Sequence, residues 1–153
     1  MTDTRRSALV TGASRGIGKA IAALLLEHGY AVACGYRTEQ RAAAQIAETH
    51  PNAFPVRVDI QARSSIRDAI AATVERFGKT IDLLINNAAI ADEKPFETIT
   101  DADWDRMLET NLRGPFIAAQ EALPAMIENR WGRIVNIVSI GGQWGGMRQV
   151  HYA

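Results

Sequence analysis

The sequence predicts an α/β protein built on a doubly wound parallel sheet, and three observations carry that reading. Strand-like and helix-like patterns alternate from end to end. The strand candidates are short, nearly continuous apolar runs, as parallel strands covered on both faces must be. The first of them runs straight into Thr11-Gly-Ala-Ser-Arg-Gly-Ile-Gly18, a glycine-rich turn that opens an amphipathic helix. Together they describe a Rossmann-like layered architecture with right-handed crossovers.

The elements follow in order. Strands are predicted at 7–11, 30–36, 54–58, 81–86 and 133–138. In the first helix Ile17, Ala20, Ile21, Leu24 and Leu25 keep helical spacing, and Gly29 ends it. The second runs from about Glu39 to Thr49, with Pro51 beyond it. In the third, Ile66, Ala69, Ile70, Val74 and Phe77 share a face and Gly78 stops the helix. The fourth is long. It starts at a capping-box-like Thr100-Asp-Ala-Asp103, carries Trp104, Met107, Leu108, Leu112 and Phe116, and ends before Gly132. Pro115 has no N–H to give the carbonyl of Asn111, so the spacing predicts an irregularity between those two residues. A kink that only fits the helix to the core is the alternative. Residues 140–149 are glycine-rich and expected to form a mobile loop.

Size and composition narrow the function. The 153 residues make one domain, 1–153, with 47% hydrophobic and 22% charged residues. Seventeen basic residues cancel seventeen acidic ones, so no bulk positive field argues for nucleic acid or an anionic membrane. No apolar run approaches a membrane span, and the N-terminus lacks the apolar core of a signal peptide. A soluble cytoplasmic protein is the expectation. Cys34, the single cysteine, sits in an apolar strand pattern and reads as a small core residue. His28 and His50 fall at helix ends, and no metal-ligand spacing is present.

The glycine-rich turn is the leading candidate site. A helix N-terminus carries unpaired N–H groups and the positive end of the dipole, which suit an anion. Gly12, Ser14, Arg15, Gly16, Ile17 and Gly18 would form the cradle, although the spacing departs from G-x-G-x-x-G. The second strand ends Gly35-Tyr36-Arg37, with no acid at its end. In a dinucleotide fold an acid there binds a free 2′-hydroxyl, whereas arginine accommodates a 2′-phosphate. Arg37 with Arg15 therefore predicts NADP; the alternative is two solvated surface arginines. Asp59-Ile60 and Asn86-Asn-Ala-Ala89 close the third and fourth strands, where ligands bind in open α/β sheets. Taken alone, each is better read as turn chemistry. Ser139 closes the fifth strand, and Tyr152 follows through the glycine-rich loop. No G-x-S-x-G elbow surrounds Ser139, and a Ser-His-Asp arrangement is poorly supported.

These motifs, in this order, resemble the short-chain dehydrogenase/reductase family: the glycine turn, Asp59-Ile60, Asn86-Asn-Ala-Ala89, Asn111-Leu-Arg-Gly114, and Ser139 with Tyr152. The resemblance spans the whole chain and is nearest the 3-oxoacyl-carrier-protein reductase branch. It implies hydride transfer between a nicotinamide and a ketone or secondary alcohol, with Asn111, Ser139 and Tyr152 as catalytic residues. It implies cofactor contacts from the glycine turn, Arg37, Asp59, Ile60, Asn86 and Ala88. Its substrates are small carbonyl compounds, including acyl chains held on a carrier protein. A full-length chain would be a homo-oligomer, paired through the helix around 101–129. The carbonyl of Asn111 would hold a water that contacts the catalytic lysine. The family's Tyr-x-x-x-Lys pattern places that lysine at position 156, so a C-terminally truncated chain is expected, with five strands of seven and the fifth strand as an open edge. Ala89 stands where the family usually has glycine. A product without catalysis, binding a dinucleotide or sensing one, is the alternative reading.

Overall fold

The structure, a computed structural model, describes residues 5–153. Five parallel strands form one sheet in the order β3-β2-β1-β4-β5. They are β1 (Ser7–Val10), β2 (Ala31–Tyr36), β3 (Ala53–Arg57), β4 (Leu83–Asn86) and β5 (Arg133–Asn136). The jump from β3 back to β4 beside β1 reverses the direction of winding and opens a crevice between the carboxyl ends of β1 and β4. β3 is an edge strand, which tolerates Pro55 within it. β5 is the other edge, and Arg133, Val135 and Asn136 on it are exposed.

The period of two in the strands sends neighbouring side chains to opposite faces. Ala8, Val10, Val32 and Cys34 pack under α1 (Gly16–Glu27) and α2 (Gln40–Thr49). Leu9, Ala33 and Leu84 pack under α3 (Arg63–Phe77) and α5 (Gly114–Glu128), meeting Ile66, Ile117 and Met126. Cys34 is a core residue, its thiol pushed up to about 12 by burial. Glu121 of α5 accepts from Arg63 and Arg67 of α3, which clamps the two helices over that face. Gly78 ends α3 in the left-handed region at φ 66°. His28 and His50 cap the C-terminal ends of α1 and α2.

Two helix faces differ from the sequence reading. In α1 the buried line is Gly18, Ala22 and Leu26, flanked by Ile21 and Leu25. Ile17 and Leu24 face outward, at 62% and 55% exposure. α1 is apolar nearly all round, so spacing alone cannot choose its inner face; the close approach at Gly18 does. The long fourth helix is three pieces: α4 (Asp101–Leu108), a π-helical turn (Glu109–Arg113) and α5. The extra residue per turn rotates everything after it. Thr110, Gly114, Ile117 and Ala118 turn inward, while Leu112 and Phe116 turn outward at 65% and 62% exposure. The loop expectation for 140–149 also changes, because Gly141–Trp144 forms one helical turn, α6.

The capping box at Thr100 is present as the sequence predicts. Thr100 Oγ1 accepts from the Asp103 N–H at 3.2 Å, and the Asp103 carboxylate accepts from the Thr100 N–H at 2.9 Å. Lys94 also donates to Asp103. The ammonium and then the threonine groups hold this carboxyl well below the usual carboxylate range. A depressed carboxyl stabilises the fold above its unfolded pKa, and that gain is lost as pH falls through the folded value. Urea titration should show Thr100→Ala destabilised by about 1 kcal/mol at neutral pH. Asp103→Asn should flatten the loss of stability on acidification below about pH 4. An unchanged acid limb would contradict the assignment.

Candidate functional site

The glycine turn between β1 and α1 is held from below by β4. Thr11 Oγ1 donates to the Ile85 carbonyl at 3.2 Å and accepts from the N–H groups of Asn87 and Ala88, each at 3.0 Å. Asn87 Nδ2 donates back to the carbonyls of Thr11 and Gly12 at 2.9 and 3.1 Å. The backbone at Gly12 stands at φ 66° and at Gly16 at φ 56°, where side chains are strained. Gly18 packs flat against this joint. A Cβ built there would lie 2.3 Å from the Gly12 carbonyl oxygen and 2.4 Å from Asn87 Nδ2. The three glycines are thus two bends and one close approach.

Above the turn lies a cavity lined by Gly12, Ser14, Arg15, Gly16, Ile17, Arg37 and Ile60, together with Ala88 and Ala89. The N-cap residue Arg15 makes no side-chain capping bond, which leaves the first-turn N–H groups of α1 without a side-chain cap among the described residues. Neither the Arg15 nor the Arg37 side chain has an ion-pair or hydrogen-bond partner among the described residues. Asp59 stands apart. Its Oδ1 accepts from the Gln61 N–H at 3.1 Å, and its own N–H donates to Ser65 Oγ at 2.9 Å. That is the turn chemistry foreseen for it, and it lies beside the cavity rather than among the lining residues.

A second cavity of about 530 Å³ adjoins the first across Ala88 and Ala89. Asn111, Ser139 and Tyr152 line it, as do Asn86 and Asn136. Ser139 and Tyr152 flank one glycine: a Cβ on Gly141 would lie 3.2 Å from Ser139 Oγ and 3.5 Å from Tyr152 Cε1. Ser139 Oγ accepts from the Gly141 N–H at 3.1 Å, which leaves its own proton to donate. The rest of the wall is apolar, from Leu112, Pro115, Phe116, Ala119 and Val138.

Asn111 is used locally. Its amide donates to the Ile90 carbonyl at 2.8 Å and accepts from the Ile90 N–H at 3.0 Å. Any chemistry from Asn111 therefore rests on its backbone. The Gly114 N–H bonds the Glu109 carbonyl, one residue further back than an α-helix allows. Thr110 thereby loses its α-helical donor, and Asn111 lacks one because Pro115 has no N–H. The irregularity falls where Pro115 predicts it and strips two carbonyls. Asn86 Nδ2 donates to Asn136 Oδ1 at 2.9 Å and to the Pro115 carbonyl at 3.3 Å, so it ties β4, β5 and α5 together. Its place is in the second cavity, not beside the glycine turn. Ala89 is absent from the residues with positive φ, so its methyl meets no backbone penalty.

Sequence reasoning missed Asn87 and Thr11 as the holders of the glycine turn, and Thr38 and Glu39 on the cavity wall. Position was the available signal for Asn87, which sits at the carboxyl end of the strand beside β1. Among the described residues no cluster of His, Cys, Asp and Glu could hold a metal ion, and no helix is long and apolar enough to cross a membrane.

Comparison with known proteins agrees with this geometry. The family model described as short chain dehydrogenase matches residues 6–153. The 3-oxoacyl-[acyl-carrier-protein] reductase FabG of Staphylococcus epidermidis is 36% identical over 151 residues, which cover 96% of this chain and 62% of the relative. The protein of the same name from Aquifex aeolicus is 39% identical over 150 residues, 95% of this chain and 60% of its own length. That from Aggregatibacter actinomycetemcomitans is 40% identical over 150 residues, 95% and 62%. The chain spans about three fifths of the length of these curated relatives.

The packing around the glycine turn makes an ordered prediction. Gly18→Ala overpacks backbone against backbone and should cost about 1–3 kcal/mol. Gly16→Ala has open space around its Cβ and should cost only the strain of its positive φ, about 1 kcal/mol. Denaturant melts of both variants check the order, and a Gly18→Ala chain as stable as the parent would refute the close approach.

Proposed function

The chain belongs to the short-chain dehydrogenase family, and on that premise we propose that its cleft binds NADP(H) and serves reduction of a ketone of the 3-oxoacyl type. One observation carries the reading: two cavities meet at Ala88 and Ala89, one holding the glycine turn and the other Ser139 with Tyr152. The residues present fit a dinucleotide. Gly12 and Gly18 keep the turn low, Arg15 at the N-cap of α1 makes no side-chain capping bond, and Arg15 and Arg37, whose side chains have no partner among the described residues, line the same cavity. Bound there, the nicotinamide supplies or takes the hydride.

The protein residues supply position and a proton. The first-turn N–H groups of α1 would hold the pyrophosphate. Arg15 and Arg37 would hold a 2′-phosphate through charge-assisted hydrogen bonds. Ser139 donates its hydroxyl proton to the substrate carbonyl oxygen and fixes its direction. Tyr152 gives its phenolic proton to the same oxygen as the alcohol forms. The apolar wall of the second cavity suits an acyl chain, free or carried on an acyl carrier protein. The two stripped carbonyls of the π-helical turn suit a water on the proton's path.

Three measurements test this. Calorimetric titration should give NADP(H) at least about a tenfold advantage over NAD(H), since a hydrogen bond to a charged group contributes about 1.5–3 kcal/mol. Arg37→Asp should reverse the order, and equal affinities in the parent chain would refute the assignment. In a chain extended with a family-like C-terminal half carrying a lysine at 156, Tyr152→Phe should slow NADPH-dependent ketone reduction by about 10²–10⁴. Residues 1–153 expressed alone should bind weakly and reduce little, because β5 is open and that lysine is not supplied. Equal turnover by the short and extended chains would overturn the role of the lysine. Binding without turnover in the extended chain would favour a non-catalytic protein.

A further inference from the structure

Tyr152 stands at the end of a segment that is joined to the rest of the protein by very little. Within residues 139–153 the polar groups bond one another: Gly141 and Gly142 to Ser139, Gln149 to Gly146, and Tyr152 to Gln149. Their one hydrogen bond to any other described residue runs from the Lys94 N–H to the Arg148 carbonyl, at 2.7 Å. His151 is buried, but among the described residues neither of its ring nitrogens has a partner. Packing holds that ring, and the Lys94–Arg148 bond is the directional tie.

The backbone at Arg148 is bent to make the tie. It stands at φ 57°, in the left-handed region, where a side chain is strained. The Gln149 N–H closes a turn on the Gly146 carbonyl at 3.1 Å, and of the two inner residues only Arg148 has positive φ. That is the position a type II turn gives to glycine or asparagine. Arg130 is the other non-glycine residue of this kind among those described, and it has an ordinary cause. It follows α5 in a Schellman motif, in which Trp131 donates to the Met126 carbonyl at 3.1 Å and Arg130 to the Ile127 carbonyl at 3.0 Å. No helix ends at Arg148. Its side chain is exposed and has no partner among the described residues, so the guanidinium is not what holds the bend.

The other end of the tie is firmly held. Lys94 donates its ammonium to Asp103, Arg106 donates to Asp92, and Ile90 takes both bonds of the Asn111 amide. Residues 90–94 are thus a strip anchored on α4 and on the π-helical turn. Asn111 is attached at one end of the strip and the Tyr152 segment at the other. We propose that Arg148 is a positioning residue, whose left-handed backbone aims its carbonyl at the Lys94 N–H and so fixes Tyr152 relative to Asn111 and the second cavity. The inference rests on the reading of Tyr152 as proton donor. A residue that avoids the left-handed region swings the following peptide and takes the carbonyl off Lys94. Strain of this sort persists where the surroundings over-determine it, and it gathers at functional sites.

The test uses the extended chain with a lysine at 156 and separates backbone from guanidinium. Arg148→Val puts a β-branched residue where the backbone must be left-handed. It should lower kcat for NADPH-dependent ketone reduction about fivefold to tenfold, with NADPH affinity held within about twofold. Glycine and asparagine enter that region readily, so Arg148→Gly and Arg148→Asn should rescue the turnover that valine loses. Hydrogen exchange reads the tie directly: the Lys94 amide should exchange about tenfold faster in Arg148→Val and at the parent rate in the other two. Equal losses of kcat in all three variants would assign the effect to the guanidinium and overturn the proposal. So would a Lys94 amide equally protected in Arg148→Val, or a loss of kcat matched by a loss of NADPH affinity. Turnover that responds to Tyr152→Phe and to none of the Arg148 variants overturns this inference alone. A parent chain that binds NADPH and reduces no ketone overturns the reading of Tyr152, and the positioning role with it.

Discussion

The cleft depends on one joint, where the carboxyl ends of β1 and β4 are tied. Thr11 offers a hydroxyl that serves three backbone groups, and Asn87 returns an amide to two carbonyls of the glycine turn. The bend with Gly12 and Gly16 at positive φ lies outside the strand ladder, so its carbonyls need other donors. Asn87 supplies donors to two of them. The same amide nitrogen forms part of the floor on which Gly18 rests. Satisfaction of the backbone and the close approach of α1 are therefore one arrangement. The anion-binding end of α1 takes its height above the sheet from it.

Its neighbour in sequence works on the other side. Asn87, just past the end of β4, bonds the turn that follows β1, whereas Asn86 bonds β5. Asn86 meets Asn136 and the Pro115 carbonyl. Because its nitrogen faces two acceptors, the orientation of its amide is fixed. Consecutive asparagines thus build the two halves of the cleft, one by fixing the glycine turn and one by fixing β5 against α5. Ser139 and Tyr152 inherit their positions from the second half, since both follow β5. That division explains why Asn86, expected among the cofactor contacts, lines the other cavity.

The sheet was legible because its signals are local and redundant. Each strand is an apolar run bounded by turn residues, and β1 to β5 all lie within two residues of the predicted spans at their starts and ends. The glycine turn and the Thr100 cap were legible because their residue types have few other uses. The inner face of α1 was not, because a helix apolar on most sides leaves the choice to tertiary contact at Gly18. The faces after Leu108 were lost for a different reason. An α-helical period was carried through a π-helical turn, and one extra residue rotates every later side chain by about 100°. Pro115 signalled an irregularity but not its sense.

The π-helical turn shows how this site carries an expensive feature. Moving the Gly114 N–H to the Glu109 carbonyl, with proline next in line, removes the donors of two successive carbonyls. Such a segment would relax unless held on both sides. Gly114 holds one side: a Cβ there would stand 2.6 Å from Ile60 Cγ1 and 2.7 Å from the Ile60 carbonyl oxygen, so only glycine lets the turn lie against the loop that follows β3. Gln61 donates to Thr110 Oγ1 at 2.7 Å from that same loop. Asn111 holds the other side through its two bonds to Ile90. An asparagine is needed there because one side chain must both give and accept along an extended backbone. Aspartate lacks the donor, and leucine lacks both groups. The side chain of Asn111 is thus committed to keeping the turn in place, beside two carbonyls that lack their α-helical donors.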